Sequence, residues 1–309
     1  MPTPFDLDAL TLAGVRAGAL AGVPVTVLGL ARTGVGLARF LAGAGAAVTV
    51  YDGKPEAALG DRLAELDGWS IRLLAGPDVD PASAWEDAAL VAFSPSITPG
   101  FPTTEPRLRA ALDGLAARRA GGDPGAPTLV SEPDLTLRLC PAPTIGVTGT
   151  KGKTTTASLI AHLLAADPSH PVVLGGNIGV PLIDRVTELT LEHRAVVELS
   201  ELQLPSLTRG TTVAVYTNVT ADHLDRHGSV AAYRAVKRRL AELVDPDGAL
   251  VLNLDDPVVG GYAGLGTAPA VCYRLEHPIG GGVGIVDGWV VTAGVERLAI
   301  VGGGPAWTG

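Results

Sequence analysis

Apolar residues along this chain fall into short runs separated by longer segments with helical spacing. PVTVLGL (24–30) reads as a buried strand, RTGVGLARFLAGAG (32–45) as a helix and AAVTVYD (46–52) as a second strand ending at Asp52. LVAFSPS (90–96) and APTLVSE (126–132) are expected to be later strands, with a helix end and a Gly/Pro loop in LDGLAARRAGGDPGAP (112–127) between them. A second series begins at PTIGVTG (143–149) and runs through HPVVLGG (170–176), RAVVELS (194–200) and TTVAVYTN (211–218), with helices over 154–166 and 229–244. Alternation of this kind predicts parallel sheets covered on both faces. After Asp256 the pattern changes. AVCYRLE, GVGIVDGWVVTAG and ERLAIVGG suggest short antiparallel strands. The expected architecture is α/β: a Rossmann-like N-terminal domain over 1–141, then a P-loop mononucleotide-binding domain over 142–309 with a short antiparallel β region.

A chain of 309 residues exceeds what one ordinary core serves, which agrees with two domains. A net charge of −9 argues against nucleic acid, and the densest basic run, RAVKRR (234–239), lies inside a helical pattern. Only two cysteines occur, far apart, so neither a zinc site nor a disulfide framework is expected. The acidic N-terminus is no secretory signal, and the longest apolar stretch (17–31) is too short to span a bilayer and contains Pro24. These features point to a soluble cytoplasmic protein with no membrane insertion.

The chemistry concentrates in VTGTKGKTTTASLI (147–160), a strand running through a glycine loop into a helix. Gly149 and Gly152 allow backbone N–H groups to turn inward, and the helix N-terminus adds orphan donors. Lys153 can reach β- and γ-phosphates, and the Thr154 hydroxyl is placed for Mg²⁺. Thr150, Lys151 and Thr155 complete the ATP loop, although Val147 stands where a strict Walker A motif has its first glycine. Glu198 ends an apolar strand, where a carboxylate can ligate Mg²⁺, and equally can cap a helix or form a salt bridge. Asp222, His223, Asp225 and His227 cluster in a polar loop suited to a metal or phosphate role. Asn177 lies in a tight glycine loop and can donate to an oxygen-rich substrate, while Asn253 ends a strand where a base can sit. Lys237, taken by itself on a helix, reads as a surface lysine.

A second glycine loop, GLARTGVG (29–36), matches G-x-G-x-x-G with Ala31 in the second place, and Asp52 follows 23 residues after Gly29. An NAD-dependent dehydrogenase is therefore a competitor, and a turn serving only helix–strand packing is another. Because Ala31 replaces the glycine that admits a pyrophosphate, the loop is read as seating a nucleotide other than NAD.

Taken in order, GTKGKTTT, GGNIG, VELSELQL, TNVTADHLDRHGS and YRAVKRR resemble the cytoplasmic Mur ligases of peptidoglycan synthesis over nearly all of residues 20 to 300. The first-domain pattern VTVLGLARTG is similar to that of the D-glutamate-adding branch. The resemblance implies ATP-dependent phosphorylation of UDP-N-acetylmuramoyl-L-alanine to an acyl phosphate, which the amine of D-glutamate then attacks. It implies Lys153 and the loop amides on the β/γ-phosphates, Thr154 and Glu198 on one Mg²⁺, and His223 on a second. It further implies that Lys237 is carbamylated and acts as a metal ligand, and that Asn177 lies near the acyl group. Gly29, Leu30, Thr33, Asp52, Lys54 and Ser94 match positions around uridine and diphosphate. Glu201 and Leu202 depart from the family's E-L-S-S-F-Q-L, and Ser96 stands where a glycine is usual. The family's third domain, introduced by G-x-H-N and holding the incoming amino acid, has no counterpart after Asp256. D-glutamate is thus expected to bind only if that domain is supplied, and the chain alone is expected to be inactive. A sister ligase adding L-alanine and a non-catalytic UDP-sugar-binding module are the alternatives.

Overall fold

The computed structural model describes residues 3–98 and 105–294. The chain divides into two compact units, one of residues 1–139 with 181–188, the other of residues 140–180 with 189–309.

The first unit holds a five-stranded sheet in the order β3-β2-β1-β4-β5, parallel throughout. Its strands are β1 (Pro24–Leu28), β2 (Ala47–Asp52), β3 (Ile71–Ala75), β4 (Leu90–Phe93) and β5 (Thr128–Ser131). The helices are α1 (Leu12–Arg16), α2 (Arg32–Gly43), α3 (Gly60–Ala64), α4 (Pro106–Ala120) and α5 (Glu132–Leu139). β4 is buried along its whole length, as expected of a strand covered on both faces, and α4 turns Leu108, Leu112 and Leu115 inward at helical spacing. The order of strands reverses beside β1, so the carboxyl ends of β1 and β4 bound the crevice where open α/β sheets take ligands.

The second unit is built on an eight-stranded sheet, β13-β12-β11-β10-β9-β6-β8-β7. It comprises β6 (Thr144–Thr148), β7 (Val172–Gly176), β8 (Arg194–Glu198), β9 (Val213–Tyr216), β10 (Ala249–Asn253), β11 (Ala270–Tyr273), β12 (Gly282–Val286) and β13 (Trp289–Ala293). Helices α6 (Lys153–Leu164), α7 (Leu224–His227), α8 (Val230–Leu243) and α9 (Pro257–Gly260) accompany it. The central strands β6 and β8 are buried at every position. The antiparallel expectation for the end of this unit holds only in part. β12 and β13 form a hairpin, turned at Asp287 and Gly288, both at positive φ, whereas β11 runs parallel to β10 and to β12. The strand expected in ERLAIVGG lies outside the described residues.

Pro181–Glu188, which contains the 3-10 segment Leu182–Glu188, belongs to the first unit although the chain on either side belongs to the second, an excursion absent from the sequence reading. Apolar burial accounts for it: Leu182, Ile183 and Val186 are buried there. The Arg16 guanidinium donates to the Thr187 carbonyl at 2.7 Å. Gly36 of α2 lies so close to Asp184 that a Cβ there would meet its Oδ1 at 2.7 Å. The carboxylate of Glu132 accepts from the Ile183 backbone and from Thr136 Oγ1, the latter at 3.0 Å.

Burial raises the Glu132 carboxyl from 4.5 to about 7, with those hydrogen bonds opposing the shift and the Asp184 charge adding to it. A carboxyl whose folded pKa is raised lends stability below its unfolded value and loses it as pH climbs through the folded value. The melting temperature is therefore expected to fall between about pH 4.5 and about pH 7 on this account. Glu132→Gln, which keeps an acceptor oxygen and cannot ionise, should flatten that slope in calorimetric scans; an unchanged slope would refute the assignment.

Candidate active site

Three carboxyl-terminal strand ends meet around one loop in the second unit. The loop 149–152 leaves β6, enters α6, and lies between the end of β8, carrying Glu198, and the end of β9, carrying Thr217. Glycine is required at its first turn. Gly149 has φ +150°, and a Cβ there would stand 1.9 Å from Thr217 Oγ1 and 3.0 Å from the Asn218 carbonyl. The close approach is used. Thr150 N donates to the Asn218 carbonyl at 2.7 Å, Lys151 N to Asn218 Oδ1 at 3.0 Å, and Thr217 Oγ1 to the Lys151 carbonyl at 2.7 Å. The Thr150 hydroxyl, itself buried, is 3.0 Å from the Tyr233 hydroxyl of α8.

The longer helices differ in how their first turns are capped. α4 and α8 are capped by the side chains of Glu105 and Ser229, whereas α2 and α6 start at Ala31 and Gly152, neither with a capping side chain. Their first N–H groups therefore remain available to an anion. At α6 the Lys153 ammonium lies beside them, donating to the Thr150 carbonyl at 3.0 Å. Thr155 is exposed on the first turn of the same helix.

Glu198 is buried at the end of β8 and joins two other expected site residues. Its Oε2 accepts from Thr154 Oγ1 at 2.7 Å and its Oε1 from Asn177 Nδ2 at 2.8 Å. Hard oxygen donors from a hydroxyl and a carboxylate suit Mg²⁺, which keeps waters and phosphate oxygens instead of an all-protein cage. No group of three or more His, Cys, Asp or Glu side chains is placed to hold a metal among the described residues. Thr154 and Glu198 thus fit one such ion.

Lys237 is not a surface lysine. It is fully buried on α8, where Tyr233, Lys237, Leu240 and Ala241 form one inward stripe. Its Nζ donates to the Gly149 carbonyl at 2.9 Å and lies 5.6 Å from the centre of the Tyr233 ring. Burial lowers its pKa from 10.5 to about 7; the neighbouring Lys153 ammonium adds to that, and Glu201, Asp222 and Glu198 oppose it. That shift favours the unprotonated, nucleophilic form of the amine.

The remaining residues take varied places. His223 has left-handed backbone, φ 49° and ψ 37°, and its Nε2 lies 3.7 Å from Glu201 and 3.8 Å from Asp222. Asp222 also pairs with Lys151 at 2.9 Å. Asn253 spends its side-chain amide on the Thr217 carbonyl at 2.8 Å, bracing β10 against β9. Tyr233 and Asn218 lie inside stretches that the sequence singles out, YRAVKRR and TNVTADHLDRHGS, but received no role there, and Glu201 stood only as a departure.

In the first unit Gly29 has φ +82° and follows β1, and a Cβ on Gly34 would meet the Gly29 carbonyl at 1.8 Å, so both glycines serve close helix–strand packing. Asp52 ends β2 with both oxygens engaged, accepting from Leu30 N at 2.8 Å and Lys54 N at 2.9 Å. Thr33 lies in the first turn of α2, and Ser94 follows β4, its hydroxyl 2.9 Å from that of Ser96. A cavity of about 570 Å³ elsewhere in this unit, lined by Arg16, Arg39, Phe40, Trp69 and Asp184, contains none of these residues.

A glycine loop between a buried parallel strand and an uncapped helix, with a lysine, a threonine and a strand-end carboxylate around it, defines a phosphate-binding α/β unit of the P-loop type. Residues 147–270 match the model of the Mur ligase middle domain. A UDP-N-acetylmuramoylalanine–D-glutamate ligase of Geobacter metallireducens is 38% identical over 270 residues, 87% of this chain and 56% of that protein. The ligase of the same name from Anaeromyxobacter dehalogenans is 42% identical over 262 residues, 84% of this chain and 52% of that protein. A solved murein peptide ligase from Psychrobacter arcticus gives 15% identity over 82% of this chain and 54% of its own, with a TM-score of 0.47. The chain belongs to the Mur ligase family and spans about half the length of the curated relatives it matches.

Gly149→Ala should cost about 1–3 kcal/mol in urea unfolding, because both φ and the Thr217 contact oppose a Cβ. Gly152→Ala, also at positive φ but with nothing nearer than 3.9 Å, should lose less. Equal losses would show that the close approach to β9 does not matter.

Proposed function

We propose that this chain carries the ATP and UDP-sugar sites of a ligase that joins D-glutamate to UDP-N-acetylmuramoyl-L-alanine through an acyl phosphate. The observation that carries the ATP half is the convergence of Lys153, Thr154, Glu198 and Lys237 on one loop. The UDP-sugar half rests on the glycine loop after β1 and Ser94 after β4, at the reversal of strand order, together with the names of the relatives. D-glutamate enters from those names and is assigned to no described residue.

In this reading the amides at the start of α6 and the Lys153 ammonium hold the β- and γ-phosphates of ATP. Mg²⁺, when bound, neutralises phosphate charge, and Thr154 and Glu198 hold it by exchanging their mutual hydrogen bond for metal contacts. Asn177, freed from Glu198, donates to the muramoyl-alanine carboxylate and aims it at the γ-phosphorus. That carboxylate displaces ADP, the incoming amine attacks the acyl carbon, and inorganic phosphate leaves. Positioning and charge neutralisation are the demands on such a site. His223 would hold a second Mg²⁺ together with Lys237, whose unprotonated amine adds CO₂ with release of one proton, so that a neutral amine becomes an anionic carbamate able to offer an oxygen donor. The lowered pKa of Lys237 supports that addition, which the ammonium form cannot undergo.

Calorimetric titration tests the reading. UDP-N-acetylmuramoyl-L-alanine is expected to bind, UDP more weakly, and NAD⁺ not at all; binding of NAD⁺ alone would overturn it in favour of a dehydrogenase. Lys153→Ala is expected to weaken Mg²⁺·ATP binding by about 10-fold or more, since it removes a charge-assisted contact. With ¹³C-bicarbonate, a carbamate carbon resonance should be seen in the wild type and vanish in Lys237→Ala; identical spectra would remove the modification from the scheme.

A further inference from the structure

Glu201 is where the chain leaves its family's motif, and its carboxylate shares the His223 ring with Asp222, at 3.7 and 3.8 Å from Nε2. It stands three residues beyond Glu198, in a turn closed by the Gln203 side chain, whose Oε1 accepts from Ser200 N at 2.8 Å and Ser200 Oγ at 3.0 Å. The Glu201 side chain is 7% exposed. A carboxylate so deep in protein is costly unless basic groups face it. Two do, and both come from the same short segment: Arg226 Nη1 at 3.4 Å and His223 Nε2 at 3.7 Å.

At its far end the segment is also held by His227, whose ring lies edge-on to that of Tyr233 with centroids 5.3 Å apart. α7 is a helix of four residues, too short to persist alone. His223 enters it with φ 49°, a conformation unusual for a side chain of this size. Such geometry persists where the surroundings over-determine it. The His223 N–H is tied to Asp222 Oδ1 at 2.9 Å, but Asp222 is itself drawn to the exposed Lys151. Glu201 is the buried end of the arrangement, fixed to β8 and reaching two side chains of the turn at once.

We propose that Glu201 is a positioning residue, its buried carboxylate holding the 222–227 turn so that the His223 imidazole stays directed at the nucleotide site. A serine at this place is too short to bridge to either partner, so the turn depends here on a contact that the usual motif does not supply. The proposal rests on the nucleotide-site reading above, and its test separates the two.

The whole chain and its Glu201→Gln, Glu201→Ser and Glu201→Asp variants are compared in two assays. Trypsin nicking after Arg226 reads the hold on the turn without any ligand. Mn²⁺ affinity in the presence of a non-hydrolysable ATP analogue, followed by electron paramagnetic resonance, reads the position of His223, with metal-free ADP binding as the control. Glu201→Gln and Glu201→Ser are expected to nick at least ~5-fold faster and to bind Mn²⁺ ~10-fold more weakly, the size of effect that supporting partners of metal ligands have. ADP binding and melting temperature should stay near wild type, and Glu201→Asp should recover part of the Mn²⁺ affinity. Wild-type nicking in the Gln and Ser variants overturns the proposal. Faster nicking with unchanged Mn²⁺ affinity also overturns it, leaving Glu201 a structural anchor. Failure of the wild type itself to bind nucleotide removes the nucleotide reading, while the nicking assay still decides whether Glu201 holds the turn.

Discussion

The second unit depends on how closely the P-loop lies against the end of β9. The loop gives its amides and carbonyls to Asn218 and Thr217 on one side and the Gly149 carbonyl to Lys237 on the other. Glycine at 149 makes that distance possible, and each neighbouring contact presupposes it. The buried lysine illustrates the dependence. An amine taken out of water needs a good acceptor, and here the acceptor is a carbonyl that the loop presents only because it is pressed against β9. What brings Lys237 into the phosphate site is therefore the course of the loop as much as the helix that carries the residue.

Much of this was legible in the chain. Strand, glycine loop and helix at 143–166 were readable because the apolar period and the turn residues agree, and parallel pairing follows from the alternation of elements. Lys237 was obscured because RAVKRR looks like a charged helix face. The signal was nonetheless present: Tyr233, Lys237, Leu240 and Ala241 recur at helical spacing, so the lysine occupies a position in the apolar stripe. Glu201 and Tyr233 were not legible, since their roles arise from segments brought together across 25 residues to Arg226 and 83 residues to Thr150. The direction of β11 was misread for a related reason. An apolar tetrapeptide contains no information on whether its partner runs with it or against it.

The polar groups of the site satisfy one another before any ligand arrives. Thr154 and Asn177 both donate to Glu198, and Lys153 donates back to its own loop. This avoids buried donors and acceptors without partners, at the expense of bonds that a cation or phosphate has to replace. In the first unit Asp52 is similarly occupied by two backbone amides, which orders the loop between β1 and α2 and reduces its freedom to take a ribose hydroxyl. The two glycine loops thus look alike in sequence and differ in what surrounds them.

The excursion of residues 181–188 has a practical meaning for anyone wishing to study the units apart. The polypeptide passes between them three times, at 139/140, 180/181 and 188/189, so no single cut produces two whole pieces. A fragment begun at Cys140 carries Leu182, Ile183 and Val186 away from the surfaces that bury them, and a fragment stopped at Leu139 exposes Glu132 and the flank of α2. Dissection at the boundary suggested by the linear sequence would yield two incomplete and sticky halves. A clean separation calls for grafting the eight-residue segment onto one and bridging the gap it leaves in the other.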